Sequence, residues 1–235
     1  DGTLIIQELG TFESPIELVI TAGALELGGH GGAVGPRDIL MTAGLTLGHG
    51  VYLQLADNDM VVDYVEGATP FNTIRDKIIA AYAGNAWTGI GIRMQPAFGE
   101  DGSRRGLGYA EASDVLGEAG GAFSGATVDG TAVLVKYTWA GDADLNGTVN
   151  FADQLRLVQN YGGTEKAWSQ GDFNYDGFVN FTDLLYLTHN YNRSGLSPEV
   201  PFETLSEATT PEPAWSVFVL ASLCAVRRSR GKRGA

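Results

Sequence analysis

Residues 16–31 read IELVITAGALELGGHG, and residues 37–50 read RDILMTAGLTLGHG. Aligning Thr21-Ala22-Gly23 with Thr42-Ala43-Gly44 sets two copies 21 residues apart, with Glu17 over Asp38, Leu18 over Ile39 and Ile20 over Met41. After a two-residue deletion Leu25 and Leu27 fall on Leu45 and Leu47, and each copy closes on Gly-His-Gly. Short alternating apolar runs at this spacing predict strands stacked as rungs of a β-solenoid over residues 1–58, with a ragged third rung from Val51 to Leu55. A rung covers its apolar edges only with a neighbour, so about three or more are needed, and further rungs are expected upstream of Asp1. A small β-sandwich with similar strands is the alternative.

The composition suits short strands and tight turns, with 33 glycines and 18% charged residues in 235. Net charge is −13, and five positive charges sit at the end, on Arg227, Arg228, Arg230, Lys232 and Arg233, so residues 1–226 carry −18. Such a body repels nucleic acid and suits divalent cations and an extracellular setting. Cys224 is the single cysteine, which excludes an internal disulfide.

Over residues 59–140 the pattern changes. Met60 to Tyr64 predicts a strand, and Thr69-Pro70 starts a helix whose Phe71, Ile74, Ile78, Ile79 and Tyr82 share a face, with Gly84 ending it. Val128-Asp129-Gly130 turns the chain into Thr131–Trp139, where Val133, Val135, Tyr137 and Trp139 alternate as in a half-buried strand. This segment is expected to close the solenoid as a small α/β unit.

The strongest chemistry lies at 142–153, DADLNGTVNFAD, and 172–183, DFNYDGFVNFTD, two segments 30 residues apart. Oxygen side chains fall at positions 1, 3 and 5 (Asp142, Asp144 and Asn146, then Asp172, Asn174 and Asp176), with glycine at position 6 (Gly147, Gly177) for the sharp turn. Position 7 (Thr148, Phe178) offers a backbone carbonyl, position 9 is Asn150 and Asn180, and position 12 is Asp153 and Asp183. Calcium takes about six to eight hard oxygen ligands at roughly 2.3–2.6 Å, which this array supplies twice, so two Ca²⁺ ions are expected. Val149 and Val179 at position 8 would pair the loops. Asx-rich turns alone are common, but two matches with glycine in register argue against that simpler origin.

Aspartate at position 12 and the absence of an entering helix resemble the dockerin type I module over residues 141–193. The following helices repeat as Asp153-Gln-Leu155-Arg-Leu157 and Asp183-Leu-Leu185-Tyr-Leu187. The resemblance implies an all-α calcium module and a cohesin-like protein partner. Cohesin-contacting positions 10 and 11 are here Phe151-Ala152 and Phe181-Thr182, where that family has small hydroxyl residues, so cohesin recognition does not carry over from the motif.

After a polar linker, 194–210, residues 211–226 read PEPAWSVFVLASLCAV and run into the basic cluster. Residues 211–235 resemble the PEP-CTERM sorting signal. That implies a C-terminal apolar helix, a transient membrane anchor cleaved near Pro211-Glu212-Pro213, and a secreted or surface-attached product. The 13 residues from Ala214 to Val226 would span roughly 20 Å, short of a bilayer core. With residues 59–140, the whole resembles the closing region of large secreted planctomycete proteins with autotransporter-like β-repeats.

No serine-centred elbow, phosphate-binding glycine loop or zinc spacing occurs. Asp57, Asp59, Asp63, Glu111 and Asp114 are candidate carboxylates for glycoside chemistry, without a pairing the sequence can fix. Asp57-Asn58-Asp59 is more simply a turn, and His30 with His49 is a weak metal pair. The expectation is a mainly β chain, solenoid first and calcium module after, with no catalytic residues of its own. It would serve structural, adhesion or assembly roles; the alternative is the accessory end of a polysaccharide-degrading enzyme with its catalytic domain upstream, an extracellular polysaccharide then being a partner.

Overall fold

The computed structural model describes residues 3–6, 11–30, 38–96 and 103–194. All lie in the first of two units, Asp1–Pro198; the second, Glu199–Ala235, and with it the expected C-terminal helix and sorting tail, falls outside the described residues. Among the described residues no helix is long and apolar enough to cross a membrane.

The strands are β1 (Thr3–Ile6), β2 (Thr11–Ile20), β3 (Ala24–Leu27), β4 (Ile39–Leu47), β5 (Tyr52–Gln54), β6 (Asp59–Asp63), β7 (Gly91–Arg93), β8 (Arg105–Glu111), β9 (Gly121–Phe123), β10 (Ala126–Val128) and β11 (Ala132–Trp139). The helices are α1 (Phe71–Tyr82), α2 (Ala112–Leu116), α3 (Phe151–Asn160) and α4 (Phe181–His189), with a 3-10 turn at Trp168–Gln170 between the last two. One sheet is parallel, in the order β1-β3-β5-β7; a five-stranded sheet runs β2-β4-β6-β11-β8; β9 and β10 form a separate hairpin.

The molecule is therefore mixed α/β, and the expected solenoid is corrected. In the larger sheet β2, β4 and β6 are parallel, but β11 pairs antiparallel with both β6 and β8. In the smaller sheet the strand beside β5 is β7, which arrives only after α1. The 21-residue repeat is not a structural repeat either. Thr11 pairs with Ile39 and Ile39 with Asp59, steps of 28 and then 20 residues, although β1 and β3 do pair 21 apart, Thr3 with Ala24. Thr21-Ala22-Gly23 forms the bend between β2 and β3, whereas Thr42-Ala43-Gly44 lies inside β4.

Thr42 shows why the second copy differs. Its hydroxyl accepts from Leu18 N–H at 3.1 Å and donates to the Gly44 carbonyl, beside a register shift in β2 between Ser14 and Glu17. Pro15, which has no N–H to give, falls within that shift on an edge strand, a place where a sheet tolerates it.

Several local expectations match. Helix α1 starts at Phe71, whose N–H reaches the Thr69 hydroxyl at 3.1 Å, and ends on Ala83 and Gly84 in left-handed backbone. It buries Ile74 and Ile78, while Ile79 is exposed. The turn expected at Asp57-Asn58-Asp59 lies slightly earlier, on Ala56-Asp57, and Asp59 already opens β6; the Asn58 amide donates to the Gly28 and Leu55 carbonyls, each at 2.9 Å. β11 departs from the half-buried expectation, since seven of its eight residues are buried on both faces. It lies between β6 and β8 with elements packed on each side, so its even positions need apolar cover as well.

The apolar core runs without interruption from Leu25 through β11 to Leu187 in α4. It crosses the boundary expected near residue 140.

Candidate metal centre

Each of the two twelve-residue loops begins on a buried aspartate and ends on another. Asp142 and Asp153 in the first loop, and Asp172 and Asp183 in the second, are all essentially inaccessible to solvent. Backbone N–H groups turn inward onto them. Asp153 accepts from Ala143 and Asp144 through one oxygen and from Asn150 through the other, at 2.8–3.1 Å. Asp183 repeats this with Phe173 and Asn180, both at 2.9 Å. Gly147 N–H reaches Asp142, and Gly177 N–H reaches Asp172, each at 2.9 Å. Both glycines have left-handed backbone, with φ of 88° and 79°, which lets the chain fold back over the first aspartate.

Asp142, Asp144 and Asp153 each bring one carboxylate oxygen within 4.8 Å of the others, a group able to hold a metal ion. It is the one such group of three His, Cys, Asp or Glu side chains among the described residues. Asp172, Asp176 and Asp183 share the loop's hydrogen bonds without that degree of convergence, and the second loop carries Asn174 where the first has Asp144.

Several details test the fit of a cation in the first loop. Asp142 Oδ1 is buried with no hydrogen-bond partner, while its other oxygen receives the Gly147 N–H and the Thr138 hydroxyl. No lysine or arginine is ion-paired with any of the six loop aspartates among the described residues. Burying carboxylates without a counter-charge is costly, and the cost appears as shifted ionisation. Burial pushes Asp142 up to about 7, the Thr138 and Gly147 bonds opposing and Asp153 adding to it. Burial likewise pushes Asp172 up to about 7 and Asp153 to about 6, and raises Asp183, in each case against the donated backbone bonds. The donors are carboxylate, amide and carbonyl oxygens, the set that suits a hard divalent cation.

Asn150 and Asn180 serve the helices. Each caps the one that follows, accepting from Ala152 or Thr182 N–H at 2.7 and 2.8 Å, and Asp153 and Asp183 return the bond to the cap's own N–H. Asn146 and Asn174 lean on the carboxylates two residues away, Asn146 donating to Asp144 at 2.9 Å and Asn174 to Asp176 at 2.8 Å. Thr148 and Phe178 each sit on a short antiparallel bridge, to Ser194 and Thr164 respectively.

These bridges correct the expected Val149–Val179 pairing. Val149 bonds the chain after α4, through Arg193 and Asn192, and Val179 bonds the chain after α3, through Gly162 and Gly163. Each loop is thus clasped by the segment that leaves the other loop's helix, and the two repeats interlock. A Cβ on Gly141 would meet Leu187 of α4, and one on Gly171 would meet Leu157 of α3, both at 2.9 Å from the Cα, so each loop also starts against the opposite helix.

Sequence reasoning missed the residues that seat this pair on the sheet. Trp168, fully buried, donates its indole N–H to the Asp142 carbonyl at 2.7 Å. Its ring lies so close to β8 that a Cβ on Gly106 would stand 2.5 Å from Trp168 Cη2 and one on Gly108 2.7 Å from Nε1. Asn190, buried after α4, donates to the Ala140 carbonyl at 2.6 Å and the Arg104 carbonyl at 3.1 Å. The alternating glycines of β8 were the available signal, but their partners lie some sixty residues away.

Elsewhere, His30 lies 3.4 Å from Asp57 and 3.8 Å from Asp38, and His49 is exposed on a turn, so the two histidines do not share partners. Buried Asp59 accepts from Tyr137 N–H and Ser124 and faces Lys136 at 3.6 Å; Glu111 accepts from Tyr64 and Thr69. Phe151 and Phe181, at position 10 of the loops, are 66% and 60% exposed.

Comparison with protein-family models, with curated proteins and with solved structures gives no match.

Proposed function

We propose that residues 141–193 bind two calcium ions, one per loop, as a dockerin-like module within the non-catalytic C-terminal part of a secreted protein. The observation that carries this reading is the first loop: three convergent aspartates, one with a buried and unpartnered oxygen, and no lysine or arginine ion-paired with them among the described residues. Asp142, Asp144, Asn146, the Thr148 carbonyl and Asp153 would hold one ion. Asp172, Asn174, Asp176, the Phe178 carbonyl and Asp183 would hold the other. Asn150 and Asn180 would act through a bridging water, their amides being engaged as caps.

The ion would supply the positive charge that the buried carboxylates lack, and the chain's own part is to hold the loops shut around it. The acidic body supports an extracellular setting, where modules with affinities of roughly 10⁻⁴–10⁻³ M are filled. Exposed apolar side chains at matching places in the two repeats, Phe151 with Phe181 and Leu155 with Leu185, support a protein partner, though at position 10 they depart from the cohesin-contacting pattern. Surface sorting by residues 211–235 rests on their sequence alone.

Titration calorimetry with Ca²⁺ near neutral pH tests the reading. Two ions per chain are expected, and Asp142→Asn and Asp172→Asn should each leave one. No heat of binding at millimolar calcium would overturn it.

A further inference from the structure

Position 4 supplies no ligand in either loop, yet it is filled by Leu145 and Tyr175, both buried and both in left-handed backbone, with φ of 58° and 61°. Both side chains reach the same strand. A Cβ on Gly108 would stand 2.5 Å from Leu145 Cδ2, and one on Gly106 2.8 Å from the Tyr175 hydroxyl. That hydroxyl accepts from Leu107 N–H at 2.9 Å and donates back to the Leu107 carbonyl at 3.2 Å. β8 is the last strand of its sheet, so these are outward-facing groups that an edge strand would otherwise leave open to another chain.

We infer that Leu145 and Tyr175 are positioning residues that couple metal occupancy of the two loops to the capping of the β8 edge. The inference rests on the calcium reading above. Left-handed backbone is unfavourable for a residue with a Cβ. In each loop it is imposed between two ligand positions, Asp144 and Asn146 in the first and Asn174 and Asp176 in the second. With an ion bound, those ligands converge and position 4 is driven onto the glycines. Without it, nothing draws together the ligand positions on either side of position 4, so the strained left-handed turn relaxes and position 4 withdraws from β8. The coupling is reciprocal: a strand that receives Leu145 and Tyr175 holds the loops in the shape the ion requires and so tightens binding.

Tyr175→Phe removes the two bonds to Leu107 and keeps the ring. In the full chain it should weaken calcium binding at one site by about fivefold, the worth of a buried hydrogen bond. The metal-free urea midpoint should stay at its wild-type value, because the hydroxyl is already released in that state; a merely structural tyrosine would lower the midpoint with and without calcium alike. Leu145→Ala should weaken the other site in the same way, and Tyr161→Phe, on an exposed side chain, should change neither. Hydrogen exchange at the Leu107 amide gives the second readout, protected with calcium and fast with chelator. A wild type that binds no calcium overturns both this inference and the calcium reading. Calcium binding with unchanged Leu107 exchange, or with wild-type affinity in Tyr175→Phe, overturns the coupling alone.

Discussion

Asp142, Asp153, Asp172 and Asp183 hold protons more firmly in the closed loops than in an unfolded chain, rising from an ordinary 3.8 to about 7, about 6, about 7 and upward respectively. A raised carboxyl gives the fold stability that is complete below its unfolded value and lost as pH climbs through the folded one. With a chelator present, the urea midpoint should therefore be higher at pH 5 than at pH 8. Calcium must displace those protons, so its binding should strengthen over the same interval and reverse the order in calcium-loaded protein. A chelated midpoint that does not fall from pH 5 to pH 8 would show that these carboxyls hold their protons no more firmly than in the unfolded chain. The cluster of Asp142, Asp144 and Asp153 was legible because its spacing is local, carboxylates and a glycine counted along one loop. Leu145 and Tyr175 were not, although an apolar residue amid so polar a loop was a visible irregularity; what they touch is fixed by a strand folded far earlier in the chain.

At the level of elements, α3 and α4 owe their starts to Asn150 and Asn180, whose amides engage the helices rather than facing the aspartates alone. Asn180→Ala should cost about 1 kcal/mol of stability in chelated protein, since a lost cap needs no metal to be felt. Urea unfolding with chelator checks this, and an unchanged midpoint would make Asn180 a ligand only. Helix α1, strand β6 and both loop helices were readable from apolar period and end signals. The solenoid was misread because period-two alternation identifies a strand and says nothing of its neighbour. Thr42 copies Thr21 in sequence but spends its hydroxyl on Leu18 across a bulge, and its strand pairs with β6, whose other edge is taken by β11, a strand that begins 90 residues after Thr42.

Across the described residues, the sheet and the two aspartate loops bury one another. Tyr175 packs tilted or edge-on among Tyr82, Trp87 and Trp168 at centroid distances of 4.7, 5.6 and 5.3 Å, and Arg156 of α3 reaches the Asp114 carbonyl at 3.0 Å. Calorimetry of calcium-loaded protein should show a single unfolding transition, with chelation lowering its midpoint; two separated transitions would mean that residues 141–193 melt independently. The sequence shift at residue 140 marked a change of chemistry and concealed the shared core, because burial of Gly106, Gly108 and Trp168 is a property of their meeting. The clasp at the end of the described chain carries a mechanical consequence. Beyond Ser194 the polypeptide continues, and Ser194 is bridged to Thr148, with Val149 bonded to Arg193 and Asn192 at 2.9 Å. Among the described residues, a pull transmitted from that side meets these few bonds first, then the Asn190 clamp on Ala140, and only afterwards the sheet. Of the described parts, the rim of the first loop is therefore where tension arrives first, and the aspartate cluster sits directly behind it.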